Sequence, residues 1–157
     1  MIRVSGVNEG VLKLQLLASL VPAVADKTIN ISLINIEREA KKDCPVDLGI
    51  TRASIHHDLK NLVGQVIVDG AGAWLEFGTR PHTPPFQPIY EWVGRVLGIG
   101  GDDTEQEEVT WAIIKNIEQY GTPARPFLFP AAELERPAYI KRLGDNLRQA
   151  LISGKQG

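Results

Sequence analysis

Four groups of residues in this chain carry side chains able to do chemistry: Cys44; the histidines His56, His57 and His82; the acidic run Asp102, Asp103, Glu105, Glu107 and Glu108; and the glycines Gly98, Gly100 and Gly101. A thiol beside an imidazole makes a nucleophile and its base. Cys44, however, follows the basic pair Lys41-Lys42 and precedes Pro45, with no glycine-rich elbow around it, and reads as a semi-buried structural thiol. His56 and His57 are adjacent, so on a strand they point to opposite faces and cannot share a metal; each reads as a solvated or satisfied histidine. His82 lies in a proline run and suits a contact better than catalysis. The acidic run lacks the alternating ligand pattern of a calcium loop, and a helix N-terminus favours carboxylates without any ligand. The glycines do not follow a strand in a phosphate-binding pattern. The expectation is a chain with no catalytic residue, no cofactor and no metal, and not an enzyme.

Length and composition point the same way. A chain of 157 residues suits one domain and buries enough surface to fold without a disulfide or a metal. One cysteine excludes an internal disulfide and a four-cysteine zinc site. A net charge of −2 supplies no electrostatic footprint for wrapping nucleic acid, though it leaves room for a local basic patch or the passive passage of DNA. The apolar stretch Val11 to Val24 is broken by Lys13, Gln15, Ser19 and Pro22, so no membrane span is expected. With Arg3 the only early basic residue, a signal peptide is not expected either, and the protein reads as one made and used in a cytoplasm.

The elements that must position these residues follow from period and punctuation. The segment 1–21 reads as a short helix carrying Val11, Leu12, Leu14, Leu16 and Leu17, and Pro22 as the first turn of a long helix over 22–43 that Pro45 ends. Residues 50–79 read as an antiparallel β-meander: alternation over Arg52–Leu59, β-branched residues over Leu62–Val68, then Ala73–Phe77 as a third strand or turn. Gly49 and Gly78 are candidate structural turns. Residues 80–121 read as a stiff proline arm, Arg80 to Pro88, followed by a helical insert. The insert holds a helix with Ile89, Trp92, Val93 and Val96 on one face, then a helix opened by a Thr104/Glu107 capping box with Val109, Ile113, Ile117 and Tyr120 inward. Residues 125–152 read as a strand, Arg125–Phe129, and a C-terminal helix that Pro137 kinks or splits, lined by Ile140, Leu143, Leu147 and Leu151. The expected fold is a single α+β domain, with an antiparallel sheet of three to four strands packed on the long N-terminal helix and the C-terminal helix.

Three stretches then matter together, in chain order: Cys44-Pro-Val-Asp-Leu-Gly-Ile-Thr-Arg-Ala-Ser-Ile55, Trp74-Leu-Glu-Phe-Gly-Thr79, and Thr122-Pro-Ala-Arg-Pro-Phe-Leu-Phe-Pro-Ala131. Together they resemble the head–tail joining, or tail-completion, proteins of long-tailed bacteriophages and prophages, over roughly residues 25 to 150. Leu48 stands where that family has threonine, and Thr51 where it has leucine. The resemblance implies a virion structural protein at the neck, a connector completing the head-proximal end of the viral tail. It also implies a homo-oligomeric ring of six, with the tail terminator and head-completion proteins as partners, located in the virion and in the host cytoplasm during virion assembly. Trp74, Glu76, Phe77, Arg80, Phe86 and Arg125 are the candidate interaction residues: aromatics and arginines beside a stiff segment are typical interface anchors. Glu76 is expected to pair with Arg80 or Arg125, within or between subunits, and Phe86 to anchor in a neighbour's groove. Trp92 and Trp111 read as core.

Three other readings compete. One is a tail terminator ring protein of the same neck. A second is a small hydrolase using Cys44 or a histidine. The third is a DNA-contacting module with Arg80, Arg95, Arg125, Arg136, Arg142 and Arg148 on one face.

Overall fold

The structure, a computed structural model, describes residues 7–100 and 103–153. Its order is α1 (Val7–Asp43), α2 (Ile50–Ser54), β1 (His56–Lys60), β2 (Val63–Ile67), α3 (Gly72–Phe77), α4 (Phe86–Trp92) running into a π-helical turn (Val93–Leu97), α5 (Asp103–Tyr120) and α6 (Leu128–Ser153). The fold is mixed, mostly helical, with a sheet of two antiparallel strands among the described residues.

The chain divides into two compact units. The first holds residues up to Glu39, the hairpin His56–Ile67 and Pro130 onwards; the second holds Ala40–Ile55 and Val68–Phe129.

In the first unit, α1 and α6 are joined by a ladder of polar side chains. Asn146 Nδ2 donates to Thr28 Oγ1 at 3.0 Å, Arg142 to Ser32 Oγ at 2.8 Å and to Glu135 at 2.8 Å, and Asn35 to Glu135 at 3.2 Å. As residue numbers rise along α1 they fall along α6, so the two helices are antiparallel. Thr28, Ser32 and Asn35 recur at i, i+4 and i+7 and so share one helix face. The sequence reading missed this polar stripe.

Strands β1 and β2 pair from His56↔Ile67 to Lys60↔Val63 around the two-residue turn Asn61-Leu62. Both turn residues have positive φ, 53° and 63°, as a type I′ hairpin turn requires. Gly64 lets the hairpin close on α1, since a Cβ there would lie 2.8 Å from the Ile29 and Leu33 side chains.

The second unit holds most of the apolar core: Ala40, Ile55, Val93, Ile114 and Phe127 are all buried. Helix α5 turns Gln106, Thr110, Ile114 and Ile117 inward. That face is rotated from the expected one, leaving Tyr120 exposed and Val109 and Ile113 half-buried. The reason is that Gln106 and Thr110 satisfy themselves in place. Gln106 Nε2 donates to the Tyr90 carbonyl at 2.8 Å, and Thr110 Oγ1 to the Gln106 carbonyl at 2.7 Å, so neither side chain buries an unmet polar atom.

Several expectations are corrected. The short helix before Pro22 and the long one after it are a single helix, with Pro22 inside α1. Over Gly10–Asp43 that helix is long and apolar enough, by length and composition alone, to cross a membrane. The third strand is absent from the described residues, because Ala73–Phe77 belongs to helix α3. The expected strand Arg125–Phe129 does not form: Leu128 and Phe129 already belong to α6, and the residues before them make no ladder, with one backbone bond of 2.7 Å from Arg125 to Leu75. Gly49 (φ 77°) turns the chain into helix α2 and not into a strand. Pro137 lies within α6 without splitting it. Helix α4 starts at Phe86, so Pro88 stands in its first turn, where a missing N–H costs nothing.

Candidate interaction site

The second and third of the quoted stretches meet in the second unit, and Glu76 joins them. Helix α3 buries Gly72 and Glu76, one turn apart, and exposes Trp74 and Phe77, three residues apart on its other face. The Glu76 side chain is therefore directed inward. Its Oε2 accepts the backbone N–H of Phe127 at 2.8 Å and of Leu128 at 2.9 Å, and its Oε1 accepts that of Phe129 at 2.8 Å. These N–H groups open α6, where no intrahelical acceptor exists. Pro130, the next residue, has no N–H to satisfy. A carboxylate at this end also faces the positive pole of the helix dipole. Glu76 is thus a remote N-cap, and it pairs with neither Arg80 nor Arg125 as the sequence reading expected.

The same segments cross just beyond. Thr79 N donates to the Thr122 carbonyl at 3.0 Å, Thr122 N to Thr79 Oγ1 at 2.9 Å, and the Thr122 hydroxyl to Thr79 Oγ1 at 3.0 Å. Two glycines permit this approach. A Cβ on Gly78 would lie 2.5 Å from the Thr122 carbonyl oxygen, and one on Gly121 would lie 2.0 Å from that of Thr79. Both also hold positive φ, 72° and 75°.

The first stretch is anchored by its ends: Cys44 and Ile55 are buried. Its Asp47 accepts a bidentate pair of hydrogen bonds from Arg95, at 3.2 and 2.8 Å. These bonds hold the Asp47 carboxyl below its ordinary range.

The other candidates fall as follows. Trp74 and Phe77 are 64% and 79% exposed, and Phe129, which the sequence reading did not name as an interaction candidate, is 66% exposed. Arg80 and Arg125 are exposed. Phe86 is half-buried: its ring lies 5.0 Å from that of Trp111 and stacks on Tyr90 at 5.6 Å. It ties α4 to α5 within the subunit instead of standing out on an arm, and Pro84, two residues before it, is buried. Trp111, expected in the core, is half-exposed beside Phe86.

Cys44 and the histidines make the following contacts. Burial pushes the Cys44 thiol up, and its hydrogen bond goes to the Pro45 carbonyl. His57 is bonded to Glu37 from α1, while His56 faces the opposite side of β1. His82 Nδ1 lies 2.9 Å from the Arg80 carbonyl. Asp102 and Gly101 lie outside the described residues. Of the arginines, Arg95, Arg136, Arg142 and Arg148 are paired with Asp47, Glu133, Glu135 and Asp145 respectively. Among the described residues no group of three or more His, Cys, Asp or Glu could hold a metal ion.

No protein-family model matches the chain, and no curated protein or solved structure is significantly similar to it.

Proposed function

We propose that this protein is a non-catalytic virion component of the phage neck, completing the head-proximal end of the tail and joining it to the DNA-filled head as a ring of like subunits. The observation that carries the reading is the Glu76 cap. Two of the three stretches that resemble tail-completion proteins, far apart in the chain, are wired to each other by three backbone hydrogen bonds. Their occurrence together therefore has a physical cause: one supplies the carboxylate and the other the helix start it satisfies. The platform so held presents Trp74, Phe77 and Phe129 to solvent. Large exposed aromatics on a rigid mount are what protein interfaces use as anchors.

The test is light scattering coupled to size exclusion, on the protein alone and then with purified tails that lack it. Binding to those tails, with restored joining to filled heads, is the expected result. Tails of uncontrolled length in the protein's absence would assign it instead to the tail terminator ring. A chain that ignores tails and heads alike would end the neck reading.

A further inference from the structure

We propose that a shallow groove in the first unit receives the N-terminal leucine segment of α1 from a second copy of this chain, making a head-to-tail contact. This deepens the ring-forming part of the reading above and rests on it.

The groove, of about 330 Å³, lies between α1, α6 and the hairpin tip, with Ile29, Leu33, Leu62, Ala132 and Tyr139 in its walls. Leu62 is the unexpected member. It occupies the second position of the hairpin turn at φ 63°, where glycine is strongly preferred and a side chain is strained. Its side chain nonetheless stays 42% exposed, so its own unit covers the leucine only in part. An apolar residue held against its backbone preference, at the lip of an apolar groove, points to something that the side chain contacts.

The occupant is indicated by α1. The α1–α6 ladder places Thr28 opposite Asn146 and Ser32 opposite Arg142. Continued at the same step, it brings Ser153, the last described residue of α6, opposite about Val21. The turns of α1 before Val21 therefore extend past the described part of α6. Val11, Leu12, Leu14 and Leu16 on those turns are between 41 and 67% exposed, and they spread around the helix instead of forming one stripe. A helix apolar on most sides is one that something else surrounds.

By length and composition the helix over Gly10–Asp43 could cross a membrane, but its uncharged run is short. Lys13 and Asp26 bracket 12 uncharged residues, about 18 Å of helix against a hydrocarbon core of roughly 30 Å. The chain's own groove is out of reach. Leu14 and Ile29 lie on one continuous helix, held about 22 Å apart. Only another copy can bring these leucines to Leu62. An amphipathic or apolar helix laid into a groove is a standard recognition mode, and a contact between unlike surfaces of identical subunits is the kind that closes rings.

The experiment measures self-association by light scattering across concentration for four forms of the full chain: wild type, the double variant Leu12→Glu/Leu14→Glu, Leu62→Gly and Leu62→Asp. Glycine and aspartate tolerate positive φ better than leucine, so the groove variants should melt no lower than wild type. Association is expected to weaken at least tenfold in Leu62→Gly, and to be lost in Leu62→Asp and in the double leucine variant. The last two, mixed, should form a 1:1 dimer, because each keeps the surface that the other lacks. Wild-type assembly in Leu62→Asp would overturn the contact, as would loss of assembly in the leucine variant alone, which would mean that the helices pair with each other. Sedimentation of the wild type, but not the leucine variant, with phosphatidylcholine–phosphatidylglycerol vesicles would make a bilayer the occupant and likewise overturn it. If all variants assemble normally on joining-deficient tails, this contact fails and the neck reading stands; a wild type that is monomeric at every concentration and ignores tails removes both.

Discussion

Glu76 Oε1 accepts the backbone N–H of Phe129 at 2.8 Å, and its other oxygen takes those of Phe127 and Leu128. One buried carboxylate thus satisfies the donors at the start of α6, between Pro126 and Pro130, neither of which has an N–H to offer. Truncating Glu76 strands those donors, and a buried donor without a partner costs about 1–3 kcal/mol. Glu76→Ala is expected to lower stability by about 3 kcal/mol, read from the urea midpoint. Glu76→Lys should be no better, since it sets a cation against the helix dipole. Any assembly defect in that variant would therefore follow from a damaged monomer. An unchanged midpoint in Glu76→Ala would refute the capping role.

The crossing of 78–80 with 121–123 depends on two glycines. Gly121→Ala would push a methyl to 2.0 Å from the Thr79 carbonyl oxygen, at a position already strained for any side chain. Gly49→Ala has the same sign of φ but open space around it. Thermal melts should show Gly49→Ala costing about 1 kcal/mol, from backbone strain alone, and Gly121→Ala clearly more. Equal losses would mean that the close approach has no energetic consequence.

Phe86 stacks within its own subunit, which reverses the effect expected of the proline run. Removing Pro84–Gln87 takes out a buried proline and the ring against Trp111 and Tyr90. Such a deletion, or Phe86→Ala, is expected to cost about 2 kcal/mol, below the loss at a fully buried aromatic. Trp111 fluorescence should shift to the red as its ring loses cover. A deletion that leaves stability and emission intact would return Phe86 to the solvent.

Acid should loosen the first unit through Glu135. Burial raises the pKa of this carboxyl, but hydrogen bonds from Arg142, Asn35 and Ser32 together outweigh it, so the net displacement is downward. A folded pKa below the unfolded one contributes stability that is present above the unfolded value, about 4.3, and is lost as pH falls through the folded value. Melting temperature against pH should therefore fall more steeply below about pH 4.3 in wild type than in Glu135→Gln, which has no charge there to lose. Identical acid limbs would show that the pair does not couple to folding.

Trp74 and Phe77 are exposed on α3, opposite its buried face. Replacing both with alanine should change stability by less than about 0.5 kcal/mol, as surface substitutions usually do. Binding to joining-deficient tails should weaken at least tenfold, the scale of a lost interface anchor. Full binding by this variant would move the interface elsewhere.

Local chemistry alone determined several features of this protein. Pro45 ends α1, and the basic pair before it sits in that helix's last turn. The alternation read over Arg52–Leu59 and the β-branching read over Leu62–Val68 found the hairpin, although its first strand starts only at His56 and Arg52–Ser54 is helical. Alternation also separates His56 from His57, one outward and one bonded to Glu37. Such signals depend on backbone preferences and side-chain period, which neighbouring residues carry among themselves. Other features needed the tertiary structure. Whether Pro22 breaks α1, whether Ala73–Phe77 is strand or helix, and which face of α5 is buried all depend on what packs opposite. The Glu76 cap and the α1–α6 ladder join residues 51 to 118 positions apart. No period or motif links those pairs: hydrogen-bond partners for buried polar groups are chosen by where the fold leaves an unmet donor, and that is settled only once the segments meet.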